Sequence, residues 1–145
     1  MDEAALDGQH PLSVVVADDD EDFRDLIDVM LQVDGRFVPV GLATDGAQAV
    51  ELVDRLRPDA VILDLQMPGL DGLGAVPAIR AHDPGVGIIV LSAFPDPYTL
   101  ADVTELGADL YLDKARAFAE LLPSLAAVCE MRMPTLHHDA PADGV

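Results

Sequence analysis

Short apolar runs alternate with longer segments of helical periodicity through most of the chain. Five short apolar runs, several of them rich in β-branched residues, are too short for helices and predict strands at residues 12–17, 37–43, 60–63, 87–91 and 109–113. After each run, apolar residues recur at helical spacing and predict helices at residues 23–31, 49–56, 73–80, 99–106 and 118–129. Strands and helices in such alternation are typical of a doubly wound parallel sheet in a three-layer α/β sandwich.

Turn formers and prolines refine these elements. Pro39 cannot donate a hydrogen bond to a sheet ladder, so the second strand is predicted to lie at an edge. Asp45 with Gln48 resembles a capping box and starts the second helix. Pro77 is predicted to lie either in the first turn of the third helix or at a kink, and Pro123 interrupts the fifth helix in the same way.

The length and the termini indicate a single folded unit. With 145 residues the chain suits one domain, predicted at residues 12–131 with no output domain after it and with flexible tails at 1–11 and 132–145. The first residues lack the basic and apolar regions of a signal peptide, and no apolar run is long enough to cross a bilayer. We therefore expect a cytoplasmic protein without membrane insertion.

The charge balance restricts the possible partners. The chain has 27 acidic and 8 basic residues and a formal net charge of -19. Such a chain is repelled by phosphate backbones and anionic membranes, so direct nucleic-acid binding is not expected, whereas cations and basic protein surfaces are suitable partners. Hydrophobic residues make up 50% of the chain, which predicts a folded core that includes the single cysteine, Cys129.

Polar and charged side chains stand where four of the predicted strands end. The first strand is followed by Asp18, Asp19 and Asp20, the third by Asp64, the fourth by Ser92 and the fifth by Lys114. If the strands are parallel, all these groups meet at the sheet edge where open α/β sheets bind ligands. Clustered carboxylates repel one another unless a cation neutralises them, and their hard oxygens suit Mg²⁺, while a lysine beside them suits a phosphoryl group. Taken alone, Asp64 could instead cap a turn, and Asp20 is the acid expected to cap the next helix.

Four motifs at these strand ends resemble the receiver domain of two-component response regulators. They are Val16-Ala17-Asp18-Asp19-Asp20, Asp64 with Met67-Pro68-Gly69 and Asp71-Gly72, Leu91-Ser92-Ala93, and residues 107–114, which read GADLYLDK. Each motif is weak alone, but all four occur in the family's order at the family's spacing, and the resemblance covers residues 11–130. It implies a CheY-like, flavodoxin-like fold in which the strand order is 2-1-3-4-5.

The resemblance implies phosphoryl transfer to a carboxylate, with Mg²⁺ as the cofactor. Asp64 would be the nucleophile and would attack the phosphorus of a phosphohistidine on a sensor histidine kinase or a phosphotransfer protein. Asp19, Asp64 and the main-chain carbonyl of Gln66 would ligate Mg²⁺ directly, and Asp18 would act through water. The metal and Lys114 would neutralise the transferring phosphoryl group from different sides.

The same resemblance implies a switch. Ser92 would hydrogen-bond the attached phosphoryl group, and Tyr111 would turn inward as Ser92 moves toward it. Phosphorylation would thereby favour one arrangement of the face formed by the fourth helix, the fifth strand and the fifth helix, to which a downstream protein or a second copy in a homodimer binds. The residues themselves leave open a strand-end cap for Ser92 and an edge-of-core aromatic for Tyr111.

Three residues either depart from the family pattern or occupy its variable positions. Ala115 follows Lys114 where the family commonly has a proline, so the loop after the fifth strand is expected to be shaped differently. Gln66 and Phe94 stand at the two variable positions where the family tunes attack of water on the acyl phosphate. A bulky Phe94 predicts a shielded site and a long-lived phosphoryl state.

Two other functions stay open at this point. An adaptor would keep the receiver shape without being phosphorylated, and Ala115 leaves room for it. A Mg²⁺-dependent phosphatase with an aspartate nucleophile would resemble the haloacid dehalogenases, but these place alternating aspartates after the first strand, where this chain has consecutive acids. The leading expectation is a stand-alone phosphoacceptor rather than an enzyme, acting as a terminal regulator or as a relay intermediate.

Overall fold

A single parallel sheet forms the centre of the molecule. The computed structural model describes residues 10–93, 98 and 100–132. The strands are β1 (Leu12–Ala17), β2 (Phe37–Ala43), β3 (Ala60–Asp64), β4 (Gly87–Ser92) and β5 (Leu110–Asp113), in the order β2-β1-β3-β4-β5. The helices are α1 (Glu21–Asp34), α2 (Gly46–Leu56), α3 (Gly72–His82), α4 (Leu100–Glu105) and α5 (Lys114–Arg132). The predicted fold and its strand order are confirmed.

Helices cover both faces of the sheet and give two apolar layers. Alternate residues of β3 point to opposite sides, so Val61 and Leu63 pack with residues of α2, α3 and α4, whereas Ile62 packs with residues of α1 and α5. Every residue of β3 and β4 is buried, as expected for central strands that read as continuous apolar runs. Cys129 lies in the layer under α5 and is buried, which confirms its predicted place in the core.

The second strand lies at an edge of the sheet, which confirms the prediction made from Pro39. Pro39 is opposite Val14, and the register with β1 then shifts by one residue, so that Gly41 is opposite Val15. This bulge leaves Val40 as the extra residue. A proline and a bulge both discourage further strand pairing at a sheet edge.

The helix starts follow from side chains that accept backbone hydrogen bonds. Asp20 caps α1 by accepting from the N–H groups of Asp22 and Phe23, as expected for the third acid of its cluster. Asp45 caps α2 by accepting from the Gln48 N–H. The return bond of the predicted capping box differs, because the Gln48 side chain accepts from the N–H of Thr44 instead of the cap residue.

Several predicted details differ from the structure. The predicted apolar faces of three helices included Leu26, Leu56 and Phe118, and the structure shows these side chains exposed. Of the two positions left open for Pro77 and for Pro123, the structure shows the one in the helix interior, within α3 and α5, and not the one in the first turn. Helix α4 is shorter than predicted, and Thr99 lies outside the described residues.

Most of the two predicted tails, residues 1–9 and 133–145, lies outside the described part of the chain. Arg132, at the predicted start of the second tail, is the last residue of α5, and its guanidinium group donates to the carboxylate of Asp109, whose side chain is 5% exposed. Within the described ranges, every helix is too short or too polar to span a bilayer.

Candidate functional site

The carboxyl ends of the strands bring the predicted site residues to one edge of the sheet. In the parallel register Ala17 is opposite Leu63 and Asp64 is opposite Leu91, so β1, β3 and β4 end at nearly the same level. Ser92 is opposite Asp113, the residue before Lys114. The sheet therefore places Asp18, Asp64, Ser92 and Lys114 at neighbouring strand ends.

Three carboxylates form the centre of this site. Asp18, Asp19 and Asp64 each offer an oxygen, and these oxygens all lie within 4.8 Å of one another. Asp19 is exposed, whereas Asp18 and Asp64 are only 2% and 5% exposed. Burial and, next, the charge of Asp18 raise the pKa of Asp64 to about 7, while Lys114 acts in the opposite direction. Three hard, mutually repelling oxygen ligands fit a divalent cation such as Mg²⁺.

Both carboxylate oxygens of Asp18 already have partners within the protein. The ammonium group of Lys114 lies 2.7 Å from Oδ2, and the N–H of Asp20 donates to Oδ1 over 2.8 Å. The main-chain carbonyl of Asp18 accepts from the Arg24 guanidinium over 3.0 Å. Arg24 was missed in the sequence analysis, and its place one turn into the first helix is the signal that could have indicated it.

Lys114 stands between the two buried acids. Its Nζ lies 3.5 Å from Oδ2 of Asp64 in addition to the contact with Asp18, and its side chain is 14% exposed. The ammonium group also lies 4.4 Å from the ring centroid of Phe23. The sequence pattern predicts Phe23 only as part of the apolar face of the first helix.

The connection from β5 to α5 is unusually direct. Asp113 is the last residue of β5 and Lys114 the first of α5, and Arg116 N–H donates to the Asp113 carboxylate in the first turn. The described residues contain no cis peptide bond. Helix α5 thus begins directly at Lys114, where the presence of Ala115 had predicted a differently shaped loop.

The loop after β3 borders an open cleft. The cleft has a volume of about 480 Å³ and is lined by Asp19, Asp20, Asp64, Gln66, Met67, Pro68, Ala93 and Lys114. The Gln66 N–H points back to Oδ1 of Asp64 over 3.4 Å. Gly72 returns the chain against β3 so closely that a Cβ at this position would lie 2.1 Å from the Asp64 carbonyl oxygen. The cleft is therefore open to a small substrate, and the backbone at Asp64 is closely packed against Gly72.

The remaining predicted residues differ in how much the structure says of them. Ser92 is buried at the end of β4, one residue beyond the level of Asp64. Tyr111 is half-buried on β5 opposite Val90 and packs against the apolar layer of α2, α3 and α4. Phe94 lies outside the described residues. The switch assigned to Ser92 and Tyr111 and the shielding assigned to Phe94 stay predictions.

Comparison with known sequences gives a consistent set of matches. The family model described as the response regulator receiver domain matches residues 14–126. Response regulator MprA from Mycobacterium sp. (strain KMS) is 36% identical over 132 residues, which are 91% of this chain and 56% of that protein. Transcriptional regulatory protein PrrA from Mycobacterium tuberculosis is 39% identical over 122 residues, 84% of this chain and 52% of that protein. The chain thus spans about half the length of the curated relatives it matches.

Solved structures match over nearly their whole length. The signal receiver domain of NarL from Mycobacterium tuberculosis superposes with a TM-score of 0.78 and 30% identity, covering 83% of this chain and 98% of that one. A CheY-like response regulator receiver domain protein from Methanospirillum hungatei gives a TM-score of 0.79 at 16% identity, covering 87% of this chain and 99% of that one. At such low identity the second match supports the fold alone.

Proposed function

Because this chain belongs to the family of response regulator receiver domains, we propose that Asp64 is its phosphoacceptor and that a histidine-bound phosphoryl group is its substrate. The observation that carries the proposal is the placement of Asp64 on the cleft, beside two further acids and within 3.5 Å of the Lys114 ammonium group. The donor is a phosphohistidine on a sensor kinase or a phosphotransfer protein.

The three acids are suited to hold Mg²⁺ in unequal roles. Asp19 and Asp64, with the main-chain carbonyl of Gln66, would ligate the ion directly. Asp18 has both carboxylate oxygens engaged by Lys114 and by the Asp20 N–H, which supports a contact through water. When bound, the ion would neutralise negative charge on the phosphoryl oxygens.

The transfer itself is a substitution at phosphorus. A carboxylate oxygen of Asp64 attacks the phosphorus atom, the new P–O bond forms as the P–N bond breaks, and the bonding electrons return to the imidazole ring of the donor. Lys114 offsets charge on the phosphoryl oxygens from the side of β5. The open cleft admits the donor's imidazole, since its wall is formed by small or exposed side chains such as Ala93 and Pro68.

The phosphorylated protein would act through a protein partner. Ser92, which is buried one residue beyond the level of Asp64, would bind the phosphoryl group, and Tyr111 lies on the adjacent strand β5. Phosphorylation would shift the population of conformations of the face formed by α4, β5 and α5, which a downstream protein binds.

Intact mass measured after incubation with acetyl phosphate tests the proposal. The wild type should gain the mass of one phosphoryl group with Mg²⁺ and should gain none without it, and Asp64→Asn should gain none under either condition. Asp20→Asn is the matched control, because asparagine also caps helices and the variant should still be phosphorylated. A gain by Asp64→Asn equal to that of the wild type would contradict the assignment.

A further inference from the structure

An aromatic ring also lies against the Lys114 ammonium group. The Nζ atom is 4.4 Å from the centroid of the Phe23 ring, well inside the distance of about 6 Å within which a cation is attracted to a ring face. Phe23 is itself held by Phe118 of α5, whose ring meets it edge-on with centroids 6.3 Å apart and planes at 76°. The contact therefore joins the start of α1 to the start of α5 beside the site.

The other two contacts of Lys114 are to groups that change during the proposed reaction. Asp18 lies 2.7 Å and Asp64 3.5 Å from the ammonium group. Both carboxylates attract the lysine less when they neutralise a bound cation, and phosphoryl oxygens replace the free carboxylate of Asp64 as the lysine's partner when Asp64 is phosphorylated. The electrostatic attraction of the Phe23 ring face is the same before and after these changes.

We propose that Phe23 is a positioning residue that holds the Lys114 ammonium group at the phosphoryl site through a cation–π contact. This inference rests on the proposed function, because it assigns Phe23 a part in phosphoryl transfer to Asp64. A lysine has four side-chain torsions, so its ammonium group can shift as its anionic partners change from carboxylate to phosphoryl oxygens. The ring restricts this freedom without taking up a carboxylate or a metal position.

The contact also explains why an aromatic residue at position 23 does more than fill space. A leucine at this position would pack against the same neighbours but would offer no negative ring face to the cation. The side chain of Lys114 is only 14% exposed, so little water replaces the lost attraction. The loss should therefore be measurable as a change in the position of the lysine side chain.

Phosphorylation kinetics with acetyl phosphate test the role in catalysis. Phe23→Leu should lower the maximal rate about fivefold while the affinity for Mg²⁺, measured by calorimetry, stays unchanged, and Phe23→Tyr should restore the rate because tyrosine keeps the ring face. Phe37→Leu is the matched control, since Phe37 is buried under the Arg36 guanidinium at the start of β2, away from the site. It should lower the melting temperature without lowering the rate.

A graded substitution separates electrostatics from shape. Phenylalanines that carry one, two or three ring fluorine atoms, incorporated at position 23, weaken the negative ring face progressively with little change in size. The rate should fall in step with the number of fluorine atoms. A rate that is the same for all three would overturn the cation–π role.

A spectroscopic measurement does not depend on phosphorylation. Lys114 is the only lysine in the sequence, so selective labelling of lysine gives one set of side-chain signals. The ε-methylene protons of Lys114 should be shifted upfield by the ring in the wild type, and this shift should be lost in Phe23→Leu. Equal shifts in the two proteins, with a normal phosphoryl gain, would overturn the positioning role alone. Failure of the wild type to gain a phosphoryl group would overturn the proposed function, and the positioning role with it.

Discussion

Asp64 combines burial with a like charge at close range. Its pKa is raised to about 7 by burial first and by Asp18 second, compared with about 3.9 for an unperturbed aspartate. Between about pH 4 and about pH 7, the folded protein therefore keeps a proton on Asp64 that the unfolded chain has already released. This proton binding stabilises the fold fully below about pH 4, and the stabilisation is lost as the pH rises through about 7.

Asp64→Asn should remove this pH dependence. Without divalent cations, the variant should exceed the wild type in free energy of unfolding by as much as about 4 kcal/mol at about pH 8, and by almost nothing at about pH 4. The reason is that asparagine stays neutral where Asp64 is forced to ionise. Urea unfolding at the two pH values measures the difference, and a difference that does not vary with pH would contradict the raised pKa.

Lys114 offsets two buried acids that repel each other. Lys114→Met should lower the free energy of unfolding by about 2 kcal/mol in the absence of divalent cations, because both carboxylates lose their cationic partner. Added Mg²⁺ should recover more stability in the variant than in the wild type, since the ion supplies the missing positive charge. Thermal unfolding with and without Mg²⁺ measures this, and equal recovery in both proteins would contradict it.

Among the residues of the site, the acids and the lysine were predictable and Phe23 was not. Asp18, Asp64 and Lys114 come directly after predicted strands, so the local sequence pattern predicts their position at strand ends. Phe23 is one of the apolar residues that repeat at helical spacing, as core residues do. Its contact with Lys114 depends on how α1 and α5 pack. Periodicity along one helix does not contain that information.

At the scale of elements, α5 is fastened at its far end by a buried charge cluster. Asp109 is 5% exposed on its side chain and accepts from Arg132 at 2.6 Å, with Arg80 at 3.4 Å. The Asp109 carboxylate also accepts from the N–H of Ile88 over 2.9 Å. One carboxylate thus ties α3, α5 and the start of β4 together.

Asp109→Ala should destabilise the protein by about 3 kcal/mol, because it leaves two guanidinium groups close together without their shared acid. Glu120→Ala is the control within α5, since its ion pair with Arg116 is exposed and should contribute little to stability. Urea unfolding of both variants gives the comparison. Similar losses in the two variants would contradict the special position of Asp109.

The connection between β3 and α3 is fixed by a close backbone approach at Gly72. Gly72→Ala should cost about 3 kcal/mol, because its Cβ would lie 2.1 Å from the Asp64 carbonyl oxygen and the backbone would have to move. The same shift should slow phosphorylation of Asp64. Gly85→Ala should be tolerated, since the nearest atom to its Cβ would be 3.8 Å away. Equal stabilities measured by thermal unfolding would contradict this account.

The elements themselves were largely predictable, and their contacts were not. Strand β2 was placed at an edge because Pro39 lacks a donor, and the start of α2 was predicted from Asp45 with Gln48. The exposed positions of Leu26, Leu56 and Phe118 were missed, because an apolar residue beside the buried stripe has the same sequence pattern as one within it. The shared acid at Asp109 joins residues far apart in the chain, which local patterns cannot reveal.

For the whole molecule, the topology converts separate strand ends into one site. The register between neighbouring strands places Asp64, Leu91 and Ser92 at nearly one level, and helices cover both faces of the sheet, so that the cleft lies at the carboxyl edge of the strands. The alternation of strands and helices predicted this arrangement because parallel crossovers have one favoured hand. The direct start of α5 at Lys114 was not predictable in this way.

The assignment of Asp64 as the phosphoacceptor is tested most directly by identifying the side chain that receives the phosphoryl group. Borohydride reduces an aspartyl phosphate to homoserine, so reduction after treatment with acetyl phosphate and Mg²⁺, followed by peptide mass mapping, identifies the modified residue. The account predicts homoserine at position 64 only, and none when Mg²⁺ is omitted. Homoserine at Asp18 or Asp19, or no conversion in a folded protein, would contradict it.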